Sequence, residues 1–144
     1  MVASAMTQGD IKVENVLCEH MKPLIAKLRE AGCTVEEGIN DVRVVGPRKL
    51  KPITIKTLPY PGFPTDMQAQ VMAMMCIADG QSSVLETVFE NRFMHVDELL
   101  RMGANIKTSG GRAALIEGVD KLYGCQVRAT DLRAGAAWSL RDLC

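Results

Sequence analysis

The chain has few aromatic residues and no net charge. Phe, Trp and Tyr together make up 4% of its 144 residues, too few for a surface on which nucleic-acid bases would stack. Lys plus Arg and Asp plus Glu number 17 each, so no global field draws the chain toward nucleic acid or a membrane. No apolar run reaches the roughly 18 residues that span a bilayer. The first ten residues lack the basic start and long apolar stretch of a secretory leader. These absences predict a soluble, cytoplasmic protein with no nucleic-acid or membrane partner. The five cysteines (Cys18, Cys33, Cys76, Cys125 and Cys144) include no CxxC pair, and their number is odd. They are expected to act as small buried hydrophobes in a reducing compartment. No glycine-rich phosphate loop, GxSxG or HExxH motif occurs. His95 has no histidine or carboxylate pair at metal-ligand spacing, so neither a metal nor a cofactor is expected.

Against these absences stands an apolar content of 47%, enough for a core in one domain or two small ones. The most informative segment runs from Leu58 to Gln70. Three prolines and a glycine fall between Pro59 and Pro64, which predicts a rigid turn. Thr65 and Asp66 then open a helix, with Thr65 as the expected cap. Beyond Gln70 that helix is apolar on every side through Ala78, as befits a helix wrapped by sheet and other helices. Its methionines read as core filler.

Four short blocks recur in the same order. Residues 11–16 resemble 83–88, 28–35 resemble 99–106, and 46–50 resemble 118–122, with offsets of 71 or 72. Residues 65–69 resemble 130–134 at an offset of 65. The pattern predicts strands near 10–16 and 83–87, helices near 20–31 and 92–102, and paired strands at 33–37 and 41–45, then 104–108 and 112–117. A further strand is expected near 52–57 or 125–129. The alternation is that of an α/β (α+β) protein, organised as two repeat units, 1–64 and 65–144. Residues 1–9 align with the tail of the 65–79 helix, and the second Thr-Asp helix stops early. The chain therefore reads as repeats drawn from a longer array.

Asp66 and Asp131 occupy equivalent positions at helix starts. One reading is helix capping, worth about 1 kcal/mol each. The other is that several helix N-termini converge on a cleft for anionic ligand groups, where a carboxylate can take a proton from a sugar hydroxyl. Arg92, at a strand-to-helix corner, is either a first-turn surface residue behind an Asn91 cap or a bidentate contact for phosphate or carboxylate. Arg133, two residues after Asp131, is either a second anion contact or an internal ion-pair partner.

The runs Leu58 to Gln70, Glu86 to Val96 and Ala129 to Ala134 closely resemble the UDP-N-acetylglucosamine 1-carboxyvinyltransferases, a family of enolpyruvyl transferases. The resemblance covers the chain to about Ala137. It implies an inside-out α/β barrel of βαβαββ repeats, here incomplete, with one full unit at roughly 53–117 taken from the second half of the family sequence. It also implies transfer of enolpyruvate from phosphoenolpyruvate to the 3-hydroxyl of UDP-N-acetylglucosamine, in the first committed step of peptidoglycan synthesis. By the same resemblance Asp66 contacts that hydroxyl and serves as its base. Val88 binds the UDP-sugar through its backbone, Arg92 is an active-site arginine, and Asp131 and Arg133 line the cleft. The family's catalytic cysteine lies on a mobile loop in the other half of its sequence, and none of the five cysteines here matches it. The N-terminal Lys-Asn pair and several phosphate-binding arginines are also unmatched, and residues 138–144 depart from the family pattern. The expectation is that this chain alone does not turn over phosphoenolpyruvate, and that the remainder of the enzyme is its natural partner. One alternative is a truncated, non-catalytic chain that binds a nucleotide sugar or a protein. Another is the related shikimate 3-phosphate enzyme of aromatic biosynthesis, against which the run Phe89 to His95 argues.

Overall fold

A computed structural model describes residues 1–126 and Gly135. The chain forms two antiparallel-based sheets around a shared apolar core. The first sheet comprises β1 (Asp10–Glu14), β2 (Thr34–Glu37) and β3 (Asp41–Val45) in the order β1-β3-β2. The second comprises β4 (Thr54–Lys56), β5 (Gln81–Leu85), β6 (Asn105–Ser109) and β7 (Ala113–Glu117) in the order β4-β5-β7-β6, with β4 and β5 parallel.

The two sheets repeat one register. Asp10 faces Val45 and Glu14 faces Asp41; Gln81 faces Glu117 and Leu85 faces Ala113. Val35 pairs with Val44 as Ile106 pairs with Ile116. Along β3 and β7 burial alternates, with Val42, Val44, Ala114 and Ile116 inward, as a sheet with one core face requires. A glycine follows β3 and another follows β7 in the same way. The Gly46 N–H donates to the Gly9 carbonyl and the Gly118 N–H to the Gly80 carbonyl. A Cβ at Gly46 would collide with the Ser4 carbonyl oxygen, and one at Gly118 with that of Ala78.

Helices α1 (Val2–Met6) and α3 (Gln68–Met75) pack against each other, α1 also against β3 and α3 against β5 and β7. Every residue of α3 except Gln70 is buried, so an apolar stretch without a polar face finds core on all sides. Helices α2 (Cys18–Glu30) and α4 (Val96–Arg101) pack on β2 and β6. Leu24, Ile25 and Leu28 of α2 and Val96 and Leu99 of α4 point inward. Gly32 and Gly103, at φ 96° and 91°, follow these helices in the left-handed conformation that ends helices at glycine. Cys33 and Cys76 are buried and Cys18 and Cys125 half-buried. Burial pushes the Cys76 thiol up to about 12 and that of Cys33 above its ordinary range.

Two expectations need correction. The second outer helix begins at Val96, not near 92, because residues 86–95 form a loop. Thr65 does not cap its helix, since its hydroxyl is given to Glu86 instead. No helix among the described residues is long and apolar enough to cross a membrane.

Candidate functional site

The Pro-rich segment is held to the sheet it follows. Leu58 N–H donates to the Phe63 carbonyl and Gly62 N–H to that of Pro59, while the Tyr60–Pro61 peptide is cis. Phe63 is buried and bridges to Thr57. The chain leaves this turn through a 3-10 segment, Thr65–Met67, directly before α3. Asp66 is thus presented outward, with its side chain 66% exposed, while its neighbours are fixed.

The second wall is the loop after β5. Its backbone makes one sharp excursion at Asn91, φ 56°, a conformation asparagine tolerates better than most residues. The loop is tied to the β6–β7 turn, where Glu86 N–H donates to the Arg112 carbonyl and Arg112 pairs with Glu90. Arg92 folds back over the Phe89 ring, its guanidinium carbon 4.3 Å from the centroid, in the geometry of a cation–π contact. It ends 3.3 Å from the Asp66 carboxylate. Its side chain is only 19% exposed. It is therefore not the solvated first-turn residue of one sequence reading, and Asn91 caps no helix. The predicted residues Asp66 and Arg92 meet, and Val88 lies half-buried on the same loop. Asp131 and Arg133 lie outside the described residues.

Beneath these residues sits a carboxylate that the sequence reading left without a role. Glu86 is fully buried. Its Oε1 accepts from the Thr57 hydroxyl at 2.7 Å and from the N–H groups of Val88 and Phe89 at 2.9 and 3.1 Å. Its Oε2 accepts from the Thr65 hydroxyl at 2.9 Å and from the Gln68 amide at 3.4 Å. Burial opposes ionisation, but the hydrogen bonds from Thr57, Val88, Phe89 and Thr65 outweigh it and hold the carboxyl below its ordinary range. Thr57 also accepts from the Thr87 N–H at 2.9 Å, and the Thr87 hydroxyl donates to the Thr57 carbonyl. The only sequence signal was a glutamate following a half-buried strand, which reads equally well as a surface residue.

His95 is buried, with Nε2 3.2 Å from the Met72 sulfur and its ring edge-on to Phe93. Among the described residues no cluster of His, Cys, Asp or Glu is arranged to hold a metal. A cavity of about 470 Å³ lies at the opposite end of α3, among Pro47, Lys49, Asp79 and Lys121. It includes none of the predicted site residues.

Over 143 residues the chain is 60% identical to UDP-N-acetylglucosamine 1-carboxyvinyltransferase 1 of Caldanaerobacter subterraneus subsp. tengcongensis, covering 99% of this chain and 34% of that relative. It is 59% identical over 145 residues to the UDP-N-acetylglucosamine 1-carboxyvinyltransferase of Finegoldia magna, with the same two coverages. It is 59% identical over 137 residues to that of Desulfofundulus thermocisternus, covering 95% of this chain and 56% of the relative. The chain thus spans about a third of the length of the first two relatives. The crystal structure of the enolpyruvyl transferase NikO from Streptomyces tendae superposes with a TM-score of 0.85 at 22% identity, over 99% of this chain and 34% of that one. EPSP synthase from Acinetobacter baumannii superposes at 0.76, also at 22% identity, over 99% and 37%. The fold is therefore that of the enolpyruvyl transferases, present as part of a domain with no closed barrel among the described residues. The family model for EPSP synthase (3-phosphoshikimate 1-carboxyvinyltransferase) matches residues 1–143, and the chain belongs to that family.

Proposed function

We propose that this chain is the part of a UDP-N-acetylglucosamine 1-carboxyvinyltransferase that holds the sugar hydroxyl in peptidoglycan synthesis. The observation that carries the reading is the meeting of Asp66 and Arg92 at 3.3 Å, in a chain 59–60% identical to proteins of that name. Asp66 takes the proton from the 3-hydroxyl as that oxygen bonds to C2 of phosphoenolpyruvate. C3 of phosphoenolpyruvate gains a proton in the addition, and the tetrahedral adduct then loses phosphate and a C3 proton to leave the enolpyruvyl ether. Asp66 suits this role because its carboxylate is exposed on a start that Phe63 and Thr65 anchor, so the reacting groups meet without reorganisation. Arg92 fixes one Asp66 oxygen and brings positive charge to a reaction among anions. Val88 has already given its N–H to Glu86, so a backbone contact to the UDP-sugar from this residue falls to its carbonyl. Asp131 and Arg133 complete the cleft in this reading. The activity belongs to the cytoplasm, and the rest of the enzyme supplies the proton donor to phosphoenolpyruvate. The isolated 144-residue chain is expected to release no phosphate.

The test is Asp66→Asn in the protein at its full encoded length. UDP-N-acetylglucosamine binding, measured by calorimetry, should persist, while phosphate release falls by roughly 10²–10⁴-fold, the range of a lost general base. An Asp66→Asn protein that turns over at the unsubstituted rate would remove Asp66 from the chemistry. Preference for shikimate 3-phosphate over the UDP-sugar would move the chain to the other branch of the family.

A further inference from the structure

Three elements that carry the site come from distant parts of the chain: the end of β4, the start of α3 and the loop after β5. Each sends a donor to one carboxylate. Thr57 comes from beyond β4, Thr65 and Gln68 from either side of Asp66, and Val88 and Phe89 from the stretch leading to Arg92. The five donors use both oxygens of Glu86, and no water is needed to satisfy it. The Arg92 guanidinium lies 3.3 Å from an Asp66 carboxylate that is 66% exposed, and an ion pair open to solvent on one side contributes little to fixing two loops. The buried carboxylate beneath them has more. It is charged, it is 0% exposed, and charge-assisted hydrogen bonds in such surroundings are strong and costly to break.

We propose that Glu86 is a positioning residue, a buried carboxylate that holds the helix start bearing Asp66 and the loop bearing Val88 and Arg92 in one fixed relation. It touches no substrate. Its effect on the reaction passes through Asp66 and Arg92, and that part of the inference rests on the function proposed above. A carboxylate suits the role because it accepts on both oxygens and donates on neither. Glutamine in its place keeps one accepting oxygen but turns an NH2 toward the Gln68 amide, so the three bonds to Thr57, Val88 and Phe89 survive and the helix-start side is weakened. Alanine removes all five.

Two measurements on the full-length protein test this. The first is amide hydrogen exchange of Glu86→Ala and Glu86→Gln against the unsubstituted protein. The alanine variant should exchange faster in both 64–70 and 86–93, with 81–85 and 113–117 unchanged, and the glutamine variant faster mainly in 64–70. Unchanged protection of both segments in the alanine variant overturns the proposal. If that variant loses protection throughout, the glutamine variant decides, and a uniform loss there means a general fold contribution and overturns the proposal as well. The second is a double-mutant cycle on turnover with Asp66→Asn. Loosened Asp66 contributes less, so the Asp66→Asn penalty should shrink by about tenfold in the Glu86→Ala background, whereas independent structural damage leaves the two effects multiplicative. If the unsubstituted protein neither binds UDP-N-acetylglucosamine nor turns over, the functional reading fails, and hydrogen exchange still settles Glu86.

Discussion

The two copies of the repeat use the same length of chain to different ends. Between β1 and β2 run residues 15–33, and between β5 and β6 run residues 86–104. In the first copy the helix takes 13 of these positions, from Cys18 to Glu30; in the second it takes six, from Val96 to Arg101. The inward face is kept. His95, Val96 and Leu99 of the second copy are buried where Leu24, Ile25 and Leu28 are in the first. What the second copy gives up is the first turns of helix, replaced by the loop with Glu86, Val88 and Arg92. By strand register the position of buried Glu86 falls in the first copy on exposed Asn15 at φ 58°, one residue beyond the Glu14 that the sequence repeat sets opposite it. A scaffold whose core is satisfied by one helical turn can spend the rest of the connection on a site.

The largest expected effect concerns what the copies share. Gly118→Ala places a methyl group against the Ala78 carbonyl oxygen, and Gly46→Ala places one against that of Ser4. Both obstacles are backbone and cannot rotate away. Gly118→Ala should cost about 3 kcal/mol or more, read from urea unfolding, and Gly46→Ala a comparable amount if the copies are equivalent in packing as well as in register. A large gap between the two would break that equivalence.

Thr57→Val comes next and acts on one copy alone. It removes a donor to the buried Glu86 carboxylate and leaves the Thr87 N–H without its acceptor. The shape is kept, so the loss is polar, about 2 kcal/mol for groups left unsatisfied. Hydrogen exchange should place the damage in 57–68 and 86–92, with β1, β2 and β3 untouched. Damage spread equally over both sheets would count against a local network.

Much of the fold could be read before the structure because it follows from periodicity and glycine placement. Gly32 and Gly103 marked helix ends, Val42 and Val44 alternated inward, and the unbroken apolar run from Val71 announced an inner helix. The likeness of residues 28–35 to 99–106 was legible because two sheets with one register need like residues at like positions. The loop from Glu86 to His95 was not legible as a loop. Asn91 followed by charged and apolar residues looks like a helix start, and nothing local reports that Arg92 turns back onto Phe89. Glu86 was invisible for a related reason. Its donors come from residues 57, 65, 68, 88 and 89, most of them far away in sequence, and only tertiary structure gathers them.

The carboxyl of Glu86 also predicts an asymmetry in acid stability. Despite burial, its hydrogen bonds keep it ionised below the ordinary carboxyl value of 4.5. A group whose folded pKa is depressed adds stability that is fully present above its unfolded value and lost as pH falls through the folded value. The urea midpoint should therefore decline as pH drops below about 4.5, and Glu86→Gln should flatten part of that decline while lowering the midpoint at pH 7. An identical acid slope in both proteins would mean that the depressed carboxyl contributes nothing to the linkage.

The smallest effect probes the first copy. Asn15→Glu writes the second copy's residue into the equivalent position, directly after β1. There the side chain is exposed. The backbone at φ 58° disfavours glutamate relative to asparagine by about 1 kcal/mol, so a modest drop in the unfolding midpoint is expected, with no ordering of the Val16–Leu17 segment in hydrogen exchange. Asn15→Gly, which suits a positive φ, should leave the midpoint almost unchanged. If Asn15→Glu instead protected the segment, a glutamate after the strand would suffice to build the loop. The expected loss means that the donors matter as much as the carboxylate.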